Sequence, residues 1–189
     1  MYTIKNNDSY ELEIKKSKFI SEIYKVNTVE EVNNILSNLR KEHNDANHIC
    51  YAYIINDLKK SSDDGEPGGT AGVPIMQVID KQNLNYILAV VIRYFGGIKL
   101  GAGGLVRAYT KSISDLLKST DIVELIKGYK IKLTITYEEQ KKLDYILKDI
   151  NHEKIYDSDV IYIINISKDN LELLSSYNYN ILEEIFIEK

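Results

Sequence analysis

The chain has 189 residues with formal net charge −4, 44% hydrophobic and 28% charged side chains. This is enough chain to bury a core in one domain or two small ones, and it excludes a disordered polymer or a protein coated throughout in positive charge for nucleic acid. The single cysteine, Cys50, excludes an internal disulfide and any paired-cysteine metal site. In an Ile/Tyr-rich strand it reads as a packing thiol. No run approaches the length of a membrane span and no signal-peptide succession opens the chain, so the expectation is a cytoplasmic protein with no membrane partner.

In chain order, Tyr10–Ile14 alternates as a strand, with Phe19–Val26 as its hairpin partner. Thr28 caps a helix in which Glu31 is the reciprocal cap and Val32, Ile35, Leu36 and Leu39 share a face. The polar stretch His43–Asn47 ends it. His48–Ile55 reads as a central strand and residues 57–73 as one long glycine-rich loop. Pro74 suits a first helical turn, with Ile75, Val78 and Ile79 on one face. Tyr86–Tyr94 is the most apolar strand, followed by a helix over Leu105–Leu117. The pattern restarts near Ile126–Tyr129: a strand through Ile131, Leu133 and Ile135, a helix over Glu138–Ile150, strands at 153–157 and 160–166, a short helix at 169–176 and a last strand at 181–187. The order β-α-β-β-α-β is ferredoxin-like. The expected fold class is therefore α+β, with one domain at 1–126 and a small second one at 127–189.

Nine of the ten glycines fall between Gly65 and Gly104, in two clusters. The first, Asp63-Asp64-Gly65-Glu66-Pro67-Gly68-Gly69-Thr70-Ala71-Gly72, joins three carboxylates to glycines. The second runs from Arg93-Tyr94-Phe95-Gly96-Gly97 through Lys99 and Gly101-Ala102-Gly103-Gly104 to Arg107 and Tyr109. Residues 81–114 hold Lys81, Arg93, Lys99, Arg107 and Lys111 with no Asp or Glu, whereas 127–189 hold nine Lys against twelve acids. A strand, a glycine turn and a helix start place backbone N–H groups where they can receive a phosphate or carboxylate. No Gly-Lys-Ser/Thr closes a Walker A loop, and Gly101-Ala102-Gly103-Gly104 lacks the spacing of a dinucleotide fingerprint.

Several readings of these residues stand together. Arg93, Lys99 and Arg107 can meet phosphates while Tyr94, Phe95 and Tyr109 stack on bases, with Phe95 the one expected in the core. Arg107 can instead bridge to Asp64 or Glu66 as an internal pair. Asp63, Asp64 and Glu66 can be read as oxygen ligands for Mg²⁺ or Ca²⁺, and His48 as an acid or base beside Asp64 or Glu66. The alternative of a satisfied His48 within the fold stays open. His43 and His152 read as surface residues.

These motifs, with His48-Ile49-Cys50-Tyr51-Ala52-Tyr53, closely resemble the YigZ/IMPACT N-terminal-domain family over about residues 10–120. The resemblance implies a first domain like domain 2 of ribosomal protein S5 and a second like domain V of elongation factor G. It places the family's shared positions on His48, Asp63, Asp64, Glu66, Arg93, Lys99, Arg107 and the surrounding glycines. Gly68-Gly69 departs slightly from the family pattern, which commonly has one variable residue there.

The functional expectation is a translation-related regulatory protein binding RNA or a ribosome-associated partner. The ligand-binding set is Arg93, Tyr94, Gly96, Gly97, Lys99, Gly101, Gly103, Gly104, Arg107 and Tyr109, with His48, Asp63, Asp64 and Glu66 as orienting or acid/base groups. The alternative is a metal-assisted hydrolase of a phosphorylated small molecule. A third reading is an interaction scaffold using the sheet of the second domain.

Overall fold

The computed structural model describes residues 1–189. The chain divides into two compact units, Met1–Val123 and Glu124–Lys189.

In the first unit β1 (Tyr2–Ile4) precedes the hairpin of β2 (Asp8–Ile14) and β3 (Ser17–Lys25). Then come α1 (Val29–Glu42), β4 (His48–Ile55), β5 (Leu58–Ser62), α2 (Gly72–Lys81), β6 (Ile87–Tyr94) and α3 (Ala102–Ser119). The sheet order is β2-β3-β6-β4-β5, antiparallel throughout. One face packs on α2 and α3 through Phe19, Ile23, Cys50, Ala89 and Val91 against Ile75, Ile79, Tyr109 and Ile113. The other face packs on α1 through Ile49, Leu88, Val90 and Ile92 against Val32, Leu36 and Leu39. A strand covered on both faces gains from apolar side chains at every position, which is why Ile87–Ile92 is unbroken by polar residues.

Local chemistry sets the ends. The Thr28 hydroxyl accepts from the Glu31 N–H, and the Glu31 carboxylate reaches back to the Asn27 N–H at 2.7 Å, one residue earlier than in the usual reciprocal cap. Lys15 and Lys16 both have positive φ and form a two-residue hairpin turn of the type that matches strand twist.

Two strands went unanticipated. β1 is only three residues long, too short to show a period. β5 lies inside the segment expected to be loop, because Leu58-Lys59-Lys60-Ser61-Ser62 is polar and its lysines are exposed. An edge strand needs only one row of backbone bonds, here to β4, and charged edge residues discourage further pairing.

The second unit takes most of β7 (Ile122–Ile135), then α4 (Gln140–Ile146), β8 (His152–Tyr156), β9 (Val160–Ser167), a 3-10 segment (Lys168–Leu174) and β10 (Tyr179–Glu188). β7 lies between β10 and β9, with β8 outside β9, all antiparallel. Leu133, Tyr162 and Ile164 pack with Leu143, Leu147 and Leu174 in its core. The helix expected at 169–176 is a 3-10 turn: Leu174 is its only buried residue, too little apolar surface to hold a longer amphipathic helix. His152 is half-buried, its Nδ1 on the Ile150 carbonyl, and is not the simple surface residue expected.

Candidate functional site: an acidic loop locked beneath a glycine-rich cleft

The register places Phe19 of β3, Arg93 of β6 and His48 of β4 side by side across the sheet. The loop after β5 passes over this row and delivers its carboxylates, each to a different task.

Asp63 closes the loop on itself. Its two oxygens accept from the N–H groups of Gly69 (2.8 Å), Ala71 (2.9 Å) and Gly72 (2.8 Å), which also caps the start of α2. Burial opposes ionisation, yet the three amides outweigh it and hold the Asp63 carboxyl below the usual aspartate range. Asp64, at φ +43°, joins Arg40 of α1 at 2.7 Å and accepts from the Ile49 N–H at 2.7 Å. It too is held low: burial is outweighed by Arg40 and that amide.

Glu66 is the buried centre. One oxygen accepts from Arg93 Nη1 at 2.6 Å and from the Tyr109 hydroxyl at 2.7 Å, and the other lies 3.8 Å from His48 Nε2. Both members of the Glu66–Arg93 pair are about 95% buried, so each charge relies on the other. His48 Nδ1 is 2.9 Å from the Asp64 carbonyl; a carbonyl only accepts, so that nitrogen carries the proton. The Cys50 thiol donates to the Asp63 carbonyl, and its sulfur lies 3.4 Å from the Tyr109 hydroxyl. Burial pushes the thiol up to about 12, and burial beside Cys50 and Glu66 pushes the Tyr109 phenol far above its ordinary value.

The second glycine cluster folds over the end of β6. Asn47 receives the Phe95 N–H and Ser17 receives the Gly96 N–H. Gly96 is there for packing: a Cβ would lie 1.9 Å from the Lys16 carbonyl oxygen. Gly97 (φ +82°) and Gly101 (φ +71°) instead border open space, and their left-handed backbone would strain a residue with a side chain. Gly104 packs on Leu100, while the Arg107 guanidinium lies beside Gly103. Between turn and loop lies a cleft of about 430 Å³, walled by His48, Glu66, Arg93, Phe95, Lys99 and Gly101 among others.

A family model described as the Impact N-terminal domain matches residues 15–117. The chain belongs to the IMPACT family. It is 40% identical over 163 residues to the IMPACT family member YvyE of Bacillus subtilis, spanning 81% of this chain and 75% of that protein. It is 33% identical over 175 residues to an IMPACT family member of Haemophilus influenzae, spanning 88% and 85%. A crystal structure described as that of a hypothetical protein superposes with a TM-score of 0.68 at 28% identity, over 96% of this chain and 95% of the other. The two-domain α+β architecture is thus shared over nearly all of both chains.

Within this IMPACT-family domain the sequence-derived candidates separate. Arg93, Lys99, Gly101, His48 and Glu66 meet at the cleft. Gly103, Gly104 and the exposed Arg107 occupy the first turns of α3 outside its wall. Tyr94 turns away and hydrogen-bonds His43 at 2.7 Å, so His43 is half-buried and is not the surface residue expected.

Five expectations are corrected. Asp63, Asp64 and Glu66 do not converge as Mg²⁺ ligands, because backbone amides, Arg40 and Arg93 each take one. Tyr109 is fully buried and unable to stack on a base, whereas Phe95, expected in the core, is 44% exposed. The cation paired with Glu66 is Arg93 in place of Arg107. Arg93 is 4% exposed, which makes it part of the wall and not a freely projecting phosphate ligand.

Sequence reasoning missed Arg40, Asn47 and Ser17, and the exposed lysines of the β2–β3 turn whose backbone packs on Gly96. None carries a linear signal. They reach the site by strand register and loop closure.

Proposed function

We propose that this IMPACT-family chain is a cytoplasmic, translation-related regulatory protein that binds RNA through the glycine-rich end of its first domain. The observation that carries this is the uncapped start of α3. Gly101 offers no side-chain cap, no acidic residue stands in the first turn, and Lys99 and Arg107 flank it, both exposed. The N–H groups and the positive helix end there suit phosphate oxygens. Asp64 and Glu66 act below this surface as orienting groups, holding Arg40 and Arg93. The first domain, taken as 1–126, is assigned to the class of domain 2 of ribosomal protein S5. The second, 127–189, is assigned to the ferredoxin-like class of domain V of elongation factor G, which its strand order supports. A ribosome-associated protein on the same surface is the competing partner. The hydrolase reading loses its ligand set with the dispersal of the three carboxylates. No helix is long and apolar enough to cross a membrane.

The test is crosslinking of single-stranded RNA to wild type and to a Lys99→Ala/Arg107→Ala double variant. Both substitutions are exposed and leave the buried Arg93 pair intact. Crosslinking lost in the variant, with a log-log salt slope of about −0.7 per phosphate contact, supports RNA at this surface. Salt-insensitive binding unaffected by the double variant refutes it and directs attention to a protein partner.

A further inference from the structure

Two neighbouring groups in the cleft wall are both hydrogen-bond acceptors, and the protein places no donor between them. Glu66 is engaged through one oxygen only: Oε1 takes the Arg93 and Tyr109 donors, whereas Oε2 accepts no hydrogen bond. The Glu66 side chain is 3% exposed, yet Oε2 is not sealed in. The enclosed side-chain atoms without a partner are Thr3 Oγ1, Ser21 Oγ, Arg93 Nε and Tyr177 Oη, and Oε2 is not among them. The surface it keeps lies on the side of the cleft, whose wall Glu66 and His48 share.

His48 supplies the second acceptor. Its Nδ1–H is donated to the Asp64 carbonyl, so Nε2 presents a lone pair 3.8 Å from Glu66 Oε2. That separation exceeds an N–H···O hydrogen bond, so a doubly protonated ring would not close the gap either. Both acceptors are immobilised, the carboxylate by Arg93 and Tyr109 and the imidazole by the Asp64 carbonyl.

Acceptors withdrawn from water without donors are costly, and a ligand that brings donors relieves that cost. The surrounding charges narrow what that ligand is. Arg93 and Lys99 line the same cleft and disfavour a cation, while the free Glu66 oxygen disfavours an anion at this point. Neutral hydroxyls remain. One hydroxyl donates once and serves a single acceptor; two on neighbouring carbons, held to one side, serve both. Beside them the wall is apolar, with Pro67, Leu100, Leu105 and the 44% exposed Phe95. An exposed aromatic ring next to hydroxyl acceptors suits a nucleoside, whose base stacks while its sugar is read through its hydroxyls. A volume of about 430 Å³ accommodates a ligand of that size.

From His48 Nε2 and Glu66 Oε2 as two free, immobilised acceptors in one cleft, we infer a site for the cis-diol of a ribose. The 2′- and 3′-hydroxyls donate one to each acceptor, and the base lies against Phe95. The diol belongs either to a free ribonucleoside or to the 3′ end of an RNA strand. The site stands on these acceptors and needs no phosphate contact with Lys99 or Arg107, so it goes beyond the RNA-binding surface proposed above.

The test is calorimetric titration of the full-length protein with adenosine, 2′-deoxyadenosine and 3′-deoxyadenosine. Each deoxynucleoside should bind at least about tenfold more weakly than adenosine, because the missing hydroxyl leaves one acceptor without a donor. His48→Asn keeps an amide donor for the Asp64 carbonyl and removes the Nε2 acceptor. It should lose a similar factor with adenosine and no longer distinguish adenosine from one of the two deoxynucleosides. Phe95→Ala, a change at an exposed ring, should weaken all three ligands by a common factor.

Equal binding of adenosine and either deoxynucleoside overturns the assignment, as does no binding at millimolar adenosine. Undiminished discrimination in folded His48→Asn, or unchanged affinity in Phe95→Ala, overturns it as well. The deoxynucleoside series needs no variant and decides the matter where His48→Asn does not fold. Two RNA tetramers, one ending in the free diol and one in a 3′-phosphate, separate the sources. Binding tighter than that of adenosine and abolished by the 3′-phosphate identifies the strand end; tetramer binding indifferent to the 3′-phosphate identifies the free nucleoside. RNA crosslinking that depends on Lys99 and Arg107, without discrimination among the three nucleosides, overturns the diol site alone. Discrimination without RNA crosslinking upholds the diol site and overturns the RNA reading.

Discussion

Removing the Glu66 carboxylate should unfold the first unit far more readily than its loop position suggests. Glu66→Ala leaves the Arg93 guanidinium, 4% exposed, without its counter-ion, and the Tyr109 hydroxyl without its acceptor. Breaking a buried pair from one side costs about 3–5 kcal/mol, which for a unit of this size lowers the melting temperature by roughly 10–20 °C. Glu66→Leu combined with Arg93→Met should recover much of that loss, since it removes both charges and fills the space. The assay is already in the chain: Cys50 is the only thiol and is fully buried in the first unit. Pulsed alkylation across a urea series therefore reads the opening of that unit and ignores the second. A loss below about 1 kcal/mol in Glu66→Ala, or a double variant as unstable as the two single losses added, would show that the pair is not desolvated and refute the reasoning.

Gly96→Ala should disrupt the β2–β3 turn, because the added methyl would fall 1.9 Å from a backbone oxygen that cannot swing aside; the expected loss of about 3 kcal/mol or more appears in the same alkylation series, and a wild-type midpoint would refute it. Asp63→Asn should destabilise at neutral pH, since the anionic acceptor of three amides is lost. Asp63 is held below its unfolded value, so its contribution is complete above about pH 4 and is lost as the pH falls through its lower folded value. The gap between variant and wild type in acid titrations followed by circular dichroism should therefore narrow below that point, and a widening gap would reverse the assignment. Cys50, pushed up to about 12 by burial, should resist iodoacetamide at pH 8 in the folded protein and react freely in urea; rapid native labelling would contradict its placement.

The sequence alone determined the elements whose signals are local. The Thr28 cap, the period-3.6 face of α1 and the unbroken apolar run of β6 each depend on neighbours within a few residues. The glycine clusters likewise marked where the backbone is most constrained, because positive φ at Gly97 and Gly101 is a constraint that residue type itself reveals. Roles within that end were decided only in three dimensions. Phe95 and Tyr109 are both aromatic residues near cations, yet register and helix phase bury one and expose the other. Adjacent Asp63 and Asp64 look like a ligand pair, but the positive φ at Asp64 turns its side chain towards Arg40 while Asp63 closes on its own loop. Arg93 and Arg107 are equivalent as charges in the sequence; which of them meets Glu66 depends on a loop folding across strands 27 residues away. Local propensity is carried by adjacent residues, whereas the pairing of charges is set by which surfaces the core forces together.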